Sequence, residues 1–357
     1  MTQAGPEDTV APVRPTPGTG GGLPSPDDAG ALHETVIGWY HRHARDLPWR
    51  SADRTAWAVM VSEFMLQQTP VVRVLPVWEE WLRRWPTPAA LAAAPSGEAV
   101  RAWGRLGYPR RALRLHAAAK AVTERHGGHV PADEEALLAL PGVGSYTAAA
   151  IAAFAHGRRT VVLDTNIRRV FGRVLRGEAL PRPSMTVAET RLARVLLPAD
   201  DAEAATWNVA VMELGALVCT ARSPRCDDCP LAARCAWLAA GRPAPEHQPT
   251  GQAWAGTMRQ LRGAILAVVR EAHHPVDLEA LVRTATGTTV DLTGSDTDGG
   301  SSTGTGGTDS SPSGPLRTLS ALGHDEARVR TALDGLAADG LVALDGAGHG
   351  RMVRLPD

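Results

Sequence analysis

Leu140-Pro141-Gly142-Val143-Gly144-Ser145-Tyr146-Thr147 is followed about twenty residues later by Val162-Leu163-Asp164-Thr165-Asn166-Ile167-Arg168-Arg169-Val170, and the fold is read from this pair. The first stretch joins two segments whose apolar residues recur at helical spacing, with glycines at the turn. Such a turn lets backbone N–H groups of Gly142, Val143 and Gly144 point outward, and the helix that follows adds partial positive charge at its N-terminus. Together they suit one phosphate, without reading bases. An ordinary tight helix–helix turn has the same composition. Asp164 likewise fits two roles. It precedes an apolar-periodic helix, as an N-cap does, and it is a carboxylate able to stabilise a cationic sugar.

Outward from this pair the chain reads as helix after helix between residues 32 and 240, with segments at 56–68, 71–84, 88–94, 97–106, 110–126, 133–140 and 145–155. Gly and Pro punctuate their ends. The fold class is therefore mainly α. Residues 1–30 read as a disordered tail. Beyond 245, helices are expected at 258–272 and 325–339, a disordered Gly/Ser/Thr/Asp-rich insertion at 294–315, and a short hairpin at 341–344 and 352–355. That order suggests a small winged-helix-like module over 246–357.

The formal net charge of −1 conceals an asymmetry. Residues 31–245 carry 27 basic and 20 acidic side chains, a net of +7, and the flanks carry 10 and 18, a net of −8. A basic centre is compatible with nucleic acid. Neither a membrane-spanning apolar run nor a secretory leader is present in the sequence, so a cytoplasmic, nucleoid-associated protein is expected. All four cysteines, Cys219, Cys226, Cys229 and Cys235, fall in a C-x6-C-x2-C-x5-C pattern. In that compartment the clustering favours a metal centre over disulfides. A structural zinc site normally pairs two C-x2-C knuckles, and here there is one, so an iron–sulfur cluster is favoured over zinc or unligated thiols.

The most selective segment is Arg45-Asp46-Leu47-Pro48-Trp49-Arg50 with Val61-Ser62-Glu63-Phe64-Met65-Leu66-Gln67-Gln68-Thr69. A glutamate in so apolar a helix is unfavourable unless it is paired or used. Burial would raise its pKa and leave it able to donate a proton, which suits the departure of a purine. A buried glutamate hydrogen-bonded for structural reasons is the alternative.

The cysteine loop resembles that of the endonuclease III family of DNA glycosylases, and the hairpin with its downstream aspartate resembles the active-site signature of the helix-hairpin-helix superfamily. With Trp103-Gly104-Arg105-Leu106-Gly107-Tyr108 and Trp207-Asn208-Val209-Ala210-Val211-Met212-Glu213-Leu214-Gly215-Ala216, the chain resembles the MutY family of adenine glycosylases over about three-fifths of its length. The resemblance implies a two-lobed glycosylase fold, with a six-helix lobe at about 51–155 and a cluster-bearing lobe made of 31–50 and 156–245. It implies a structural 4Fe-4S cluster on the four cysteines and a DNA-facing loop bearing Arg222 and Arg225. It further implies removal of adenine opposite 8-oxoguanine or guanine in duplex DNA by a monomer. Glu63 is then the acid at the adenine, and Asp164 stabilises the sugar cation with support from Tyr146 and Asn166. Gln67, Gln68 and Tyr108 meet the duplex, and Trp49, Arg50 and Leu66 line the pocket, the last three serving equally well as core packing.

Bifunctional superfamily members carry a lysine where this chain has Tyr146, and the only lysine is Lys120. A monofunctional enzyme is expected. Two features depart from the family: Val209 stands where Glu or Gln is common, and nothing after Pro245 resembles its oxidised-nucleotide-hydrolase-like domain. The rival readings are a thymine or uracil mismatch glycosylase of the same superfamily, and a non-enzymatic iron–sulfur DNA-binding regulator.

Overall fold

The computed structural model describes residues 24–247, 251, 253–287, 314–346 and 350–357. In chain order the helices are α1 (Pro26–His43), α2 (Ala56–Leu66), α3 (Val71–Arg84), α4 (Pro88–Ala92), α5 (Ser96–Trp103), α6 (Arg110–Arg125), α7 (Glu134–Leu138) and α8 (Ser145–His156). They continue with α9 (Thr165–Phe171), α10 (Val187–Val195), α11 (Asp201–Leu217) and α12 (Ala236–Ala239). The C-terminal part adds α13 (Met258–Glu271), β1 (Val276–Asp277), α14 (Leu278–Ala285), α15 (Gly314–Ser320), α16 (Glu326–Ala338), β2 (Ala343–Asp345) and β3 (Met352–Arg354). Starts are marked by side-chain caps: Thr55, Thr87, Asp133 and Asp200 each accept a backbone N–H of the first turn. Thr186 and Glu189 form a reciprocal capping box. No described helix is long and apolar enough to cross a membrane.

The chain divides into two compact units, residues 1–46 with 152–249, and residues 47–151 with 250–357. In the first, Leu32, Val36 and Trp39 of α1 face α11, whose Ala204, Trp207, Val211 and Leu214 are buried with Ile167, Val170 and Phe171 of α9. Arg45 grips the fully buried Glu213 of α11 with Nε and Nη2, both at 2.7 Å, a bidentate pair that satisfies a carboxylate no water reaches.

The second unit is built round α2, whose nine consecutive residues from Trp57 to Met65 are all buried. Indole rings surround it. Trp81 packs edge-on against Trp85 and Trp103, and Trp49 against Trp78. Each of three buried indole N–H groups finds a carbonyl: Trp57 that of Trp85, Trp78 that of Ala58, and Trp103 that of Gly107. In the same unit, β3 pairs antiparallel with β1 and with β2, giving the strand order β1-β3-β2 beside α13, α14, α15 and α16.

Three expectations are corrected. The first helix begins at Pro26, inside the segment read as a tail. Ser25 caps it, Pro26 sits at its first position, and Asp27 and Asp28 follow, a start signal that the Pro/Gly-rich composition before it obscured. Gly314 and Pro315, the end of the expected insertion, open α15, and the rest of that insertion lies outside the described residues. Finally, α14 and β1 had no counterpart in the sequence reading.

Candidate active site

In the second unit, Glu63 lies in the middle of α2 with 6% of its surface exposed, between the buried Ser62 and Phe64. Helix α2 ends at Leu66, and Gln67 and Gln68 leave it. Gln68 is exposed and has φ of +55°, a left-handed conformation rare outside glycine. Tyr108 shares that property: φ is +45° and half of its surface is exposed. Both residues assigned to the duplex therefore sit on strained backbone, which persists only where the surroundings over-determine it.

The over-determination comes from Arg111, a residue the sequence reading passed over. It is 5% exposed at the start of α6. Its Nη1 donates to the carbonyls of Phe64, Met65 and Gln67, at 2.9, 3.1 and 2.5 Å. Its Nη2 donates to Thr69 Oγ1 at 3.0 Å and to Gly107 O at 3.1 Å. One guanidinium thus ties the end of the Glu63 helix to the turn before Tyr108, with Trp103 and Tyr108 beneath its plane. Burial brings its pKa down to about 10, so it is still charged at neutral pH.

Trp49 is buried against Trp78, with Arg50 beside it in the chain and partly exposed, as Leu66 is at the end of α2. Gln67 Nε2 reaches Thr147 Oγ1 at 3.4 Å, which joins the end of α2 to the start of α8. In the hairpin, Gly142 has φ of +77°, and a Cβ there would meet Arg114 Cβ at 2.6 Å, so both conformation and space require glycine. Val143 is buried, whereas Gly142, Gly144 and Ser145 face solvent at the N-terminus of α8, and Tyr146 follows, half-buried. The lone Lys120 is exposed on α6.

In the first unit, Asp164 caps α9, and it does more than cap. Its Oδ1 accepts Ile167 N–H at 2.7 Å, and its Oδ2 accepts Asn166 Nδ2 at 2.6 Å. Desolvation nevertheless dominates and raises its pKa above the ordinary carboxylate value, against the opposing pull of those hydrogen bonds and of Arg169. The network continues. Arg169 Nη2 donates to Asn166 Oδ1 at 2.8 Å and to Gly215 O at 2.7 Å, and its Nε donates to Cys219 O at 2.6 Å. A polar chain therefore runs from Asp164 through Asn166 and Arg169 to the first cysteine. Gly215 makes room for it, since a Cβ there would lie 2.7 Å from Asn166 Cβ. Val209 lies partly exposed on α11 of this unit.

The four cysteines, none in a disulfide, line one small, largely apolar pocket with Val170, Val174, Leu214 and Leu238. Burial pushes the Cys229 thiol up to about 11 and raises Cys235, so bare thiols would stay protonated and a bound metal is what draws them to thiolates. Among the described residues no three His, Cys, Asp or Glu side chains converge closely enough for one metal ion. Four thiols spread round a shared cavity instead fit a polynuclear cluster. Arg173 supports the loop, donating to Thr220 O at 2.8 Å and to Cys219 Sγ at 3.4 Å. Arg222 and Arg225 of the loop are exposed.

Comparison with known proteins agrees with this geometry. Residues 61–194 match the family model of the HhH-GPD superfamily base excision DNA repair proteins, and residues 219–235 that of the iron–sulfur binding domain of endonuclease III. An adenine DNA glycosylase of Mycobacterium tuberculosis is 50% identical over 258 residues, 71% of this chain and 84% of the relative. A thymine-DNA glycosylase of Aeropyrum pernix is 38% identical over 204 residues, 56% of this chain and 91% of the relative. Among solved structures, a thermostable thymine-DNA glycosylase superposes with a TM-score of 0.53 at 26% identity, covering 59% of this chain and 97% of its own.

Proposed function

The chain belongs to the adenine DNA glycosylases, DNA-binding base-excision repair enzymes that hydrolyse an N-glycosidic bond and carry a 4Fe-4S cluster, and we propose that it removes adenine mispaired with 8-oxoguanine or guanine and leaves the strand intact. The observation that carries the reading is Glu63, a carboxyl group inside a helix buried over nine consecutive residues. Such a group is poised to deliver a proton to a ring nitrogen of the extruded adenine. Protonation turns the base into a good leaving group, and the C1′–N9 bond breaks with its electron pair going to the base. The positive charge left on the sugar is met by the Asp164 carboxylate, held in place by Ile167 and Asn166. Water adds to C1′ and returns a proton to the carboxylate that Glu63 became in the first step, so the products are adenine and an abasic site and the acid is restored.

Gly142, Val143 and Gly144 take a phosphate on the solvent-facing turn, and Gln67, Gln68 and Tyr108 contact the duplex. Trp49, Arg50 and Leu66 shape the wall of the base pocket. Tyr146 and Asn166 support the sugar site. The cluster organises the loop on which Arg222 and Arg225 meet DNA, and Cys219, Cys226, Cys229 and Cys235 hold it. The chain acts as a monomer. Tyr146 at the lyase lysine's position, and the chain's one lysine, Lys120, exposed on α6, support a reading without Schiff-base chemistry.

Higher identity to an adenine than to a thymine glycosylase, 50% against 38%, favours adenine over the mismatched pyrimidine. The test is a panel of labelled duplexes holding A opposite 8-oxoguanine, A opposite G, T opposite G and U opposite G, with and without alkali. Release of adenine alone, with breaks only after alkali, is the expected outcome. Release of T or U instead would establish the pyrimidine rival, and nicking that keeps pace with base release without alkali would overturn the monofunctional reading.

A further inference from the structure

The C-terminal part of the second unit has the strand and helix order of small DNA-reading modules, yet its charge argues against that use. The described residues between 251 and 357 hold nine arginines against nine carboxylates, so this module carries none of the basic excess of residues 31–245. Several of those arginines are neutralised internally: Arg330 by Glu279 and Glu326, Arg262 by Asp339, and Arg354 by Asp345 and Asp357. Such a surface offers phosphate no net attraction.

What the module does make is a fitted contact with α5 and α6. Gly97 N–H donates to Pro356 O at 2.9 Å, and a Cβ on Gly97 would lie 2.3 Å from that oxygen and 2.7 Å from Leu355 Cβ. Arg110 pairs with Asp339 at 3.2 Å, and Arg101 Nη1 donates to Ala272 O at 3.0 Å and also to Arg270 O. From the end of α13, Arg270 sends Nη1 to the carbonyl of Gly104, while its Nε and Nη2 are shut off from solvent with no hydrogen-bond partner among the described residues. A guanidinium so poorly satisfied is costly to keep. Its single contact falls on the turn that leads to Tyr108, in which Gly104, Gly107 and Tyr108 all have positive φ.

We propose that the C-terminal module buttresses the 104–108 turn, with Arg270 as a positioning residue that holds Tyr108 ready to enter the duplex. Arg111 fixes the turn from α6, and Arg270 fixes it from the C-terminal side. The module thereby acts on base extrusion without touching DNA. This rests on the reading of Tyr108 as a duplex contact.

The test uses full-length, cluster-loaded protein and a duplex with 2-aminopurine in place of the target adenine, read by stopped-flow fluorescence as the base leaves the stack. Tyr108→Ala should slow extrusion. Arg270→Ala should slow it about 3- to 30-fold, the range for a residue that acts through a neighbour, and Arg270→Lys should recover part of the loss. The double variant Arg270→Ala/Tyr108→Ala should be no slower than Tyr108→Ala alone. Gly97→Ala, which forces Pro356 away without altering the turn, should reproduce the Arg270→Ala rate, and it covers the case in which Arg270→Ala does not fold. Replacing the exposed Arg283 and Arg317 by Ala should leave the salt dependence of duplex binding unchanged. Multiplying effects in the double variant, or wild-type extrusion in both Arg270→Ala and Gly97→Ala while Tyr108→Ala is slow, overturns the buttress alone. A flatter salt dependence in the Arg283 and Arg317 variants would make the module a DNA reader and also overturn it. Wild-type extrusion in Tyr108→Ala overturns the duplex role of Tyr108, and the buttress with it.

Discussion

Glu63 and Asp164 are both carboxylates in poorly solvated places, but their two units hold them by different means. Glu63 stands in a helix buried over nine consecutive residues, with the carbonyls at that helix's end gathered by Arg111. Asp164 stands at a helix start, each oxygen engaged by a donor, at the head of a polar chain that ends at Cys219. The first environment makes a charged carboxylate costly unless it is paired or used. The second fixes an anion's direction while burial still lifts its pKa. Under the proposed function, two copies of one functional group would take different tasks from their surroundings, and each contrast can be tested.

The largest effects belong to the carboxylates themselves. Glu63→Gln removes the proton and keeps the shape, and should cut single-turnover base release by about 10²–10⁴-fold, the usual contribution of a general acid. Asp164→Asn should cost as much or more, because a neutral amide cannot offset the sugar's charge. Binding to a mismatched duplex, measured by fluorescence anisotropy, should stay near wild type in both. Base release near the wild-type rate in either variant would remove that residue from the chemistry.

A smaller loss is expected one step back. Arg169→Gln breaks three contacts at once, to Asn166, Gly215 and the Cys219 carbonyl, without touching a reacting group. Base release should fall about 10- to 100-fold, as for other residues that orient a functional side chain, and iron content per chain should fall with it. An equivalent change at Arg111 should leave iron content untouched, since no contact of Arg111 leads to the cluster loop. Equal iron loss in both variants would erase the distinction between the two units.

The sequence showed some of this and hid the rest for a physical reason. The hairpin glycines, the clustered cysteines and an acid in an apolar run are visible because the residue type itself is unusual in its place. Helix α1 was missed at its start although Ser25-Pro26-Asp27-Asp28 is a good cap, because the disordered composition before it dominated the reading. Arg111, Arg169 and Arg270 were invisible as organisers. Each sits in an arginine-rich chain where a solvated face is the ordinary expectation, and each works mainly on backbone carbonyls, which leave no mark in a sequence. The same holds for Gly215, whose reason is the bulk of Asn166 rather than any turn of its own. Residues unusual for their place were legible, and the arginines and glycine that hold them were not.

The smallest effect is one of stability, and it tests the claim that Asp164 is held against its own solvation. In the unfolded chain an aspartate titrates near 3.9, and burial raises that value in the fold. Between the two values the folded state holds the proton more tightly than the unfolded one, so stability falls as pH rises through that window and is flat above it. Asp164→Asn removes this titration. Asparagine still caps α9 through its side-chain oxygen, while the Nδ2 of Asn166 loses an acceptor, a fixed loss of about 1 kcal/mol at most. That offset does not vary with pH, so the informative quantity is the slope. The stability of the variant relative to wild type should increase from mildly acidic to neutral pH, by about 1.4 kcal/mol for each pKa unit by which the fold lifts Asp164. Urea denaturation of cluster-loaded protein, followed by far-ultraviolet circular dichroism across that range, reads it directly. A relative stability that falls with pH would mean the bonds from Ile167 and Asn166 outweigh desolvation, and Asp164 would then be an anion the fold favours rather than one it keeps for the sugar.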